Sequence, residues 1–240
     1  MDATLKVLST KAQVARQFTE ELLSWAADKD SVSIALSGGS TPKTLFKLWT
    51  EEYLDKFDWS KFTFYWGDER CVPPDDEESN YGAAYDLFLK HLPEAHRHIE
   101  RMRGEDNPEQ EAKRYANLID NDLPKVENVP QFDVMLLGMG DDGHTASIFP
   151  NQMHLLTEEG FAATATHPDS GQTRVTLTGP VICQAKWIVF LVTGENKAAR
   201  IQEIFTGQPI SVNYPAAHIE AKEGEMTWYV DEAAAQALQS

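Results

Sequence analysis

Residues 138–150 read GMGDDGHTASIFP, with one histidine and two aspartates set among three glycines. The imidazole of His144 is the side chain best suited to take up and return a proton near neutral pH. Gly138, Gly140 and Gly143 let the backbone turn sharply and come close to a ligand. The apolar run before them, Phe132 to Leu137, reads as a buried strand of a parallel sheet. Such sheets place ligands at the carboxyl ends of their strands. His144 is therefore expected at the mouth of a crevice, on a tight turn.

The same glycines fit G-x-G-x-x-G, the dinucleotide fingerprint, but their context argues against a nicotinamide or flavin. Asp141 and Asp142 stand where a pyrophosphate would have to approach. A following helix has room only from about Thr145 to Phe149 before Pro150 ends it, too short for a crossover.

Three other stretches suit an anion. The strand Ser31 to Leu36 runs into Ser37-Gly38-Gly39-Ser40-Thr41-Pro42 and then into the helical pattern KTLFKLWTEEYL. The unpaired N–H groups and dipole of a helix N-terminus favour phosphate. Ser40 or Thr41 is expected as N-cap or as donor to phosphate oxygens, with Pro42 in the first turn. Lys43-Thr44 does not complete a nucleotide P-loop, because Pro42 occupies the glycine position before the lysine. The strand Phe62 to Trp66 ends in GDERCVP, where Arg70 either clamps an oxyanion or pairs with Asp68, with Glu69 or with a neighbouring loop. The strand Trp187 to Val192 ends in TGENK, ahead of the helix AARIQEIF. Lys197 in that first turn opposes the dipole, which an anionic ligand would explain. Arg174 lies on the polar face of a strand from Thr173 to Thr178, either reaching a site or facing solvent.

These residues need a scaffold. Val14, Phe18, Leu22 and Trp25 form one stripe of a helix from Gln13 to Ala27. Further helices are expected at Ser79–Leu89, Pro108–Asn121 and Glu232–Leu238, with a helical turn at Pro215–His218. Further strands are expected at Phe161–Thr166 and Met226–Val230, and residues 75–78 read as a solvated acidic loop. Residues 123–130 form a linker with two prolines. Strands alternating with helices predict one open, doubly wound, Rossmann-like sheet, mostly parallel, with helices on both faces, in a single domain of residues 1–240.

Composition bounds the partners. The chain has 240 residues, 42% of them hydrophobic, enough for a large core. No apolar run approaches the roughly 20 residues of a membrane span, and the N-terminus lacks a signal-peptide pattern. Cys71 and Cys183 have no metal-ligand spacing, and Pro93 interrupts His91, His96 and His98, which read as surface residues. No metal is expected, and a reducing cytoplasm is the expected location. The net charge, 21 − 38 = −17, argues against nucleic acid and anionic membranes. A phosphate ligand would need a local basic cluster to overcome that field.

Taken together, SGGSTP at 37–42, GDERCVP at 67–73, GMGDDGHTASIFP at 138–150, RVTLT at 174–178 and GENKA at 194–198 resemble the 6-phosphogluconolactonase family, in order and over nearly the whole chain. The resemblance implies a NagB/RpiA/CoA-transferase-like fold and hydrolysis of 6-phospho-D-glucono-1,5-lactone in the oxidative pentose phosphate pathway, without metal or cofactor. In that reading His144 is the general base, and Asp142 holds its ring. Arg70 or the N–H groups of the glycine turn receive the oxyanion. Gly38, Gly39, Ser40, Thr41, Asp68, Gly140, Arg174 and Lys197 bind substrate, with Arg70 a further candidate for the phosphate. The partner is then a small sugar-phosphate lactone, and the chain is expected to be a monomer.

Two rivals remain at this stage. Glucosamine-6-phosphate deaminase shares the fold and carries a glutamate five residues after its histidine, before a proline. Here that position is Phe149, ahead of Pro150, and an aromatic ring cannot relay a proton. A non-catalytic sugar-phosphate sensor would keep the basic cluster but would not need His144 and Asp142.

Overall fold

The computed structural model describes residues 3–239. In chain order its strands are β1 (Thr4–Leu8), β2 (Val32–Leu36), β3 (Phe62–Trp66), β4 (Asp68–Arg70), β5 (His98–Ile99), β6 (Lys125–Val126), β7 (Val129–Pro130), β8 (Val134–Leu137), β9 (Ala162–Thr166), β10 (Thr173–Leu177), β11 (Trp187–Val192) and β12 (Glu225–Asp231). The helices are α1 (Lys11–Ala26), α2 (Ser40–Leu48), α3 (Asn80–Leu87), α4 (Pro108–Asp122), α5 (Gly179–Gln184), α6 (Ala198–Phe205) and α7 (Glu232–Ala235). Short 3₁₀ turns fill several connections, among them Glu195–Lys197 and Pro150–Leu156.

Seven strands form one sheet in the order β1-β12-β11-β8-β2-β3-β5, every neighbouring pair parallel. Strands β8 and β11 are apolar throughout because both faces are covered. In β8, Val134 and Leu136 join Phe18, Trp49 and Phe64 in one core layer, while Met135 and Leu137 join Phe190 and Trp228 in the other. Chain order reverses between β2 and β8. From β2 the chain proceeds outward to β3 and β5, and from β8 it proceeds the other way to β11 and β12. The loops leaving β2 and β8 therefore diverge, opening the crevice where such sheets hold ligands.

The expectation of one sheet needs correction. The strands near 161–166 and 173–178 do not join the parallel sheet. With β4 they form a three-stranded antiparallel sheet in the order β4-β10-β9. Only residues 167–172 separate β9 from β10, too few for the crossover that parallel strands require. The small sheet is bonded to the large one's rim, with Leu177 N donating to the Gly67 carbonyl at 2.8 Å. The two-proline linker is also more than a linker, since it contains the β6–β7 hairpin.

Candidate active site

Four loops at the carboxyl edge of the large sheet converge on a cleft of about 190 Å³. Gly38 to Thr41 follow β2, Asp68 and Arg70 follow β3, Gly138 to His144 follow β8, and Thr193 and Lys197 follow β11, while Arg174 enters from β10. Every residue proposed from sequence except Asp142 lines this cleft, and Asp142 touches the histidine that does.

The turn after β8 holds His144 by its own backbone. Gly140 N donates to the His144 carbonyl at 2.9 Å, and Gly143 N donates to the Gly140 carbonyl at 3.1 Å. The imidazole lies across Gly140 so closely that a Cβ there would sit 2.2 Å from ring atom Nδ1. Only glycine allows that approach. Asp142 Oδ1 meets His144 Nδ1 at 2.6 Å and also accepts from His144 N at 3.1 Å. Burial pushes the Asp142 carboxyl upward, but the hydrogen bond and charge of His144 outweigh it and hold the group down at about 2. A carboxylate can only accept, so Nδ1 carries the hydrogen, and in the neutral ring Nε2 is the bare lone pair. Phe149 is fully buried against the ring, centroids 4.8 Å apart.

The chain after His144 is a turn rather than a short helix. Thr145 bridges to Ile148, and Ala146 takes φ 47°. The Ser147 hydroxyl then donates to Asp68 Oδ2 at 2.6 Å. Asn80 Nδ2 donates to the Asp68 carbonyl at 2.9 Å and reaches Oδ1 at 3.4 Å. Asp68 thus lines the cleft with both carboxylate oxygens engaged.

At the glycine-rich turn, Gly39 is the N-cap of α2, with φ 106° and no side chain closing it. The expectation that Ser40 or Thr41 caps the helix is incorrect. Those residues are its first two helical positions, and their hydroxyls are drawn elsewhere. Lys11 Nζ donates to Ser40 Oγ at 3.0 Å, and Thr41 Oγ1 lies 2.7 Å from Thr193 Oγ1. The first amides of α2 have no acceptor within the helix, and Pro42 contributes no N–H. Gly38 packs against Asn80, where an added Cβ would lie 1.8 Å from Asn80 Oδ1.

Arg70 and Arg174 are cross-strand partners in the β4–β10 pair. Neither forms an ion pair among the described residues. Arg70 Nη1 donates to the Glu78 carbonyl at 2.8 Å, while its Nε is buried without a hydrogen-bond partner. Arg174 Nε reaches Gln172 Oε1 at 3.3 Å, and Gln172 in turn donates to Glu78 Oε2 at 3.0 Å. Burial lowers the Arg174 pKa, and the neighbouring Arg70 charge lowers it further. Guanidinium groups without a carboxylate partner are free to receive anions. The ion pairs with Asp68 or Glu69 left open from the sequence do not form. Glu69 instead turns inward and accepts the amides of Asn80 and Tyr81 at 2.7 and 2.8 Å. The acidic loop is also more than solvated surface, because Glu78 supports both arginines.

Lys197 precedes α6 in the Glu195–Lys197 turn and is paired with Asp141. Sequence reasoning missed Asn80, Ser147, Thr193 and Lys11. Thr193 was within reach, standing one residue beyond an apolar strand at the ligand edge. The others are brought in by tertiary contacts. Among the described residues no three histidine, cysteine or carboxylate side chains gather to hold a metal.

Residues 8–228 match the family model described as glucosamine-6-phosphate isomerases/6-phosphogluconolactonase. The chain belongs to that family. Within it, the chain is similar to the 6-phosphogluconolactonase of Haemophilus influenzae, 43% identical over 230 residues, which cover 95% of this chain and 97% of the relative. Among solved structures it is similar to the devB protein, with TM-score 0.92 and 40% identity over 98% of both chains. It is also similar to 6-phosphogluconolactonase from Trypanosoma brucei, with TM-score 0.80 and 27% identity over 98% of both chains. As in any member of a family that joins two activities, membership alone does not choose between isomerase and lactonase chemistry. The relatives at 41–43% identity are named 6-phosphogluconolactonases, which favours lactonase chemistry.

Proposed function

We propose that the protein is an enzyme that hydrolyses 6-phospho-D-glucono-1,5-lactone to 6-phospho-D-gluconate, in the oxidative pentose phosphate pathway. The observation that carries this reading is the Asp142–His144 pair, 2.6 Å apart, at a cleft also lined by Arg70 and Arg174. His144 Nε2 takes a proton from water as the water oxygen bonds to the lactone carbonyl carbon. Asp142 keeps the ring in the required tautomer and stabilises the imidazolium that forms. The tetrahedral intermediate then collapses, its ring C–O bond breaks, and His144 returns the proton to the departing oxygen. The immediate result is an open-chain carboxylic acid, which releases its proton to solvent to leave the carboxylate, with water as the only co-reactant.

We assign the oxyanion to Arg70. The glycine turn was the other candidate, but the amides of Gly140, Gly143 and His144 already have acceptors within the turn. We assign the 6-phosphate to the open end of α2, with Gly38, Gly39, Ser40, Thr41, Arg174 and Lys197 around it. These donors are built into a chain of net charge −17, so attraction comes from the local cluster and not from the global field. Phe149 favours lactonase over deaminase, because it places an apolar ring where the deaminase carries a carboxylate.

We further read residues 1–240 as one domain acting as a monomer in the cytoplasm. No helix among the described residues is long and apolar enough to cross a membrane, and Cys71 and Cys183 are free thiols. The decisive experiment is a lactonase assay on freshly prepared phosphogluconolactone, corrected for spontaneous hydrolysis. A rate no faster than the uncatalysed one would reject the proposal.

A further inference from the structure

Lys197 does not face the cleft unaccompanied. Its ammonium is paired with Asp141 Oδ1, which also accepts from Asn196 Nδ2 at 2.8 Å. The Asp141 carbonyl accepts from Arg200 Nε at 3.0 Å. The Lys197 side chain is 16% exposed and the Asp141 side chain 68% exposed. Lys197 lines the cleft, and Asp141 stands outside the lining. The next residue, Asp142, turns the other way to hold His144. Adjacent carboxylates therefore serve the two ends of one site.

An aspartate this exposed holds a lysine only weakly, with a preference of about five-fold at most. A phosphate dianion offers three acceptor oxygens and more charge, so it can take the ammonium from the carboxylate. We propose that Asp141 is a displaceable counterion for Lys197, holding the ammonium at the rim of the empty cleft and yielding it to the substrate's phosphate. This rests on the assignment of Lys197 to the phosphate site made above. Asp141 then tunes affinity for anions without touching the reacting atoms. It also recaptures the ammonium when the product, which keeps its phosphate, departs. Asp141 is a positioning residue in this scheme. The competing arrangement, in which Asp141 aims Lys197 at a phosphate it continues to share, predicts the opposite sign on neutralisation.

The test is a double-mutant cycle read by calorimetric titration with inorganic phosphate, alongside kcat and KM for the lactone. Asp141→Asn keeps the shape and removes the charge. It should tighten phosphate binding about two- to five-fold and lower KM in the same ratio with kcat unchanged. Lys197→Ala should weaken phosphate binding by roughly ten-fold or more. In the Lys197→Ala background, Asp141→Asn should have no further effect. Equal tightening in both backgrounds would mean simple charge repulsion and would overturn the proposal. Unchanged or weaker binding in Asp141→Asn alone would overturn it too. If Lys197→Ala leaves phosphate affinity intact, the phosphate assignment itself fails, and the counterion role falls with it.

Discussion

The rings of His144 and Phe149 lie 4.8 Å apart, with the phenyl fully buried beneath the imidazole. Arg174 lies over the same phenyl at 5.7 Å, so Phe149 packs against both the imidazole and a guanidinium of the cleft. Opening a sugar ring and moving a proton between adjacent carbons would require a proton relay at that position, and a phenyl ring has none. We expect no detectable ammonia release from glucosamine 6-phosphate in a coupled assay. Measurable turnover would reject the lactonase assignment in favour of the deaminase.

His144→Ala should lower kcat for the lactone by roughly 10²–10⁴, the usual share of a general base, with KM little changed. Pre-steady-state and steady-state rates on fresh lactone check this. A variant with near-normal kcat would remove His144 from the chemistry.

Asp142 links the site to acid stability. Its folded pKa of about 2 lies below the roughly 3.9 of an unfolded aspartate. The stabilisation it contributes is therefore fully present above about pH 4 and is lost as pH falls through 2. Denaturant titrations of wild type and Asp142→Asn should differ at pH 6 and converge toward pH 2. A gap that stays constant over that range would show that the carboxylate charge is not what stabilises the turn.

The two arginines should separate kinetically. Arg174→Ala, like Lys197→Ala, should mainly raise KM, because a phosphate contact is the same in the ground and transition states. Loss of one charge-assisted bond is worth on the order of 1.5–3 kcal/mol. Arg70→Ala should instead lower kcat, because the oxyanion exists only after attack. Matching KM effects in both variants would move Arg70 to the phosphate.

Gly140→Ala tests the close packing of base on backbone. The new Cβ would fall 2.2 Å from His144 Nδ1, so the ring must move. Overpacking of this kind costs about 1–3 kcal/mol, which a folded protein of this size can absorb. We expect a folded variant, by circular dichroism, whose kcat falls toward that of His144→Ala. Full activity would mean that the ring position does not matter.

Much of the site was determined by local sequence. The strands Phe62–Trp66 and Trp187–Val192 and the helix Ala198–Phe205 lie where apolar pattern and turn residues indicate, because burial on both faces leaves a short apolar run and burial on one helical stripe leaves a periodic mark. Asp142 and His144, two residues apart on a glycine turn, are a local motif whose hydrogen bond needs no distant partner. What only the tertiary structure decided are relationships between segments far apart in the chain. Arg70 meets Arg174 across 104 positions because β4 leaves the main sheet to pair with β10, and nothing in either strand's own pattern names its neighbour. Asn80 closes on Gly38, Ser147 on Asp68, and Asp141 on Lys197 in the same way. Periodicity and turn chemistry act over a few residues. Side-chain pairing across loops depends on where the whole sheet delivers their ends.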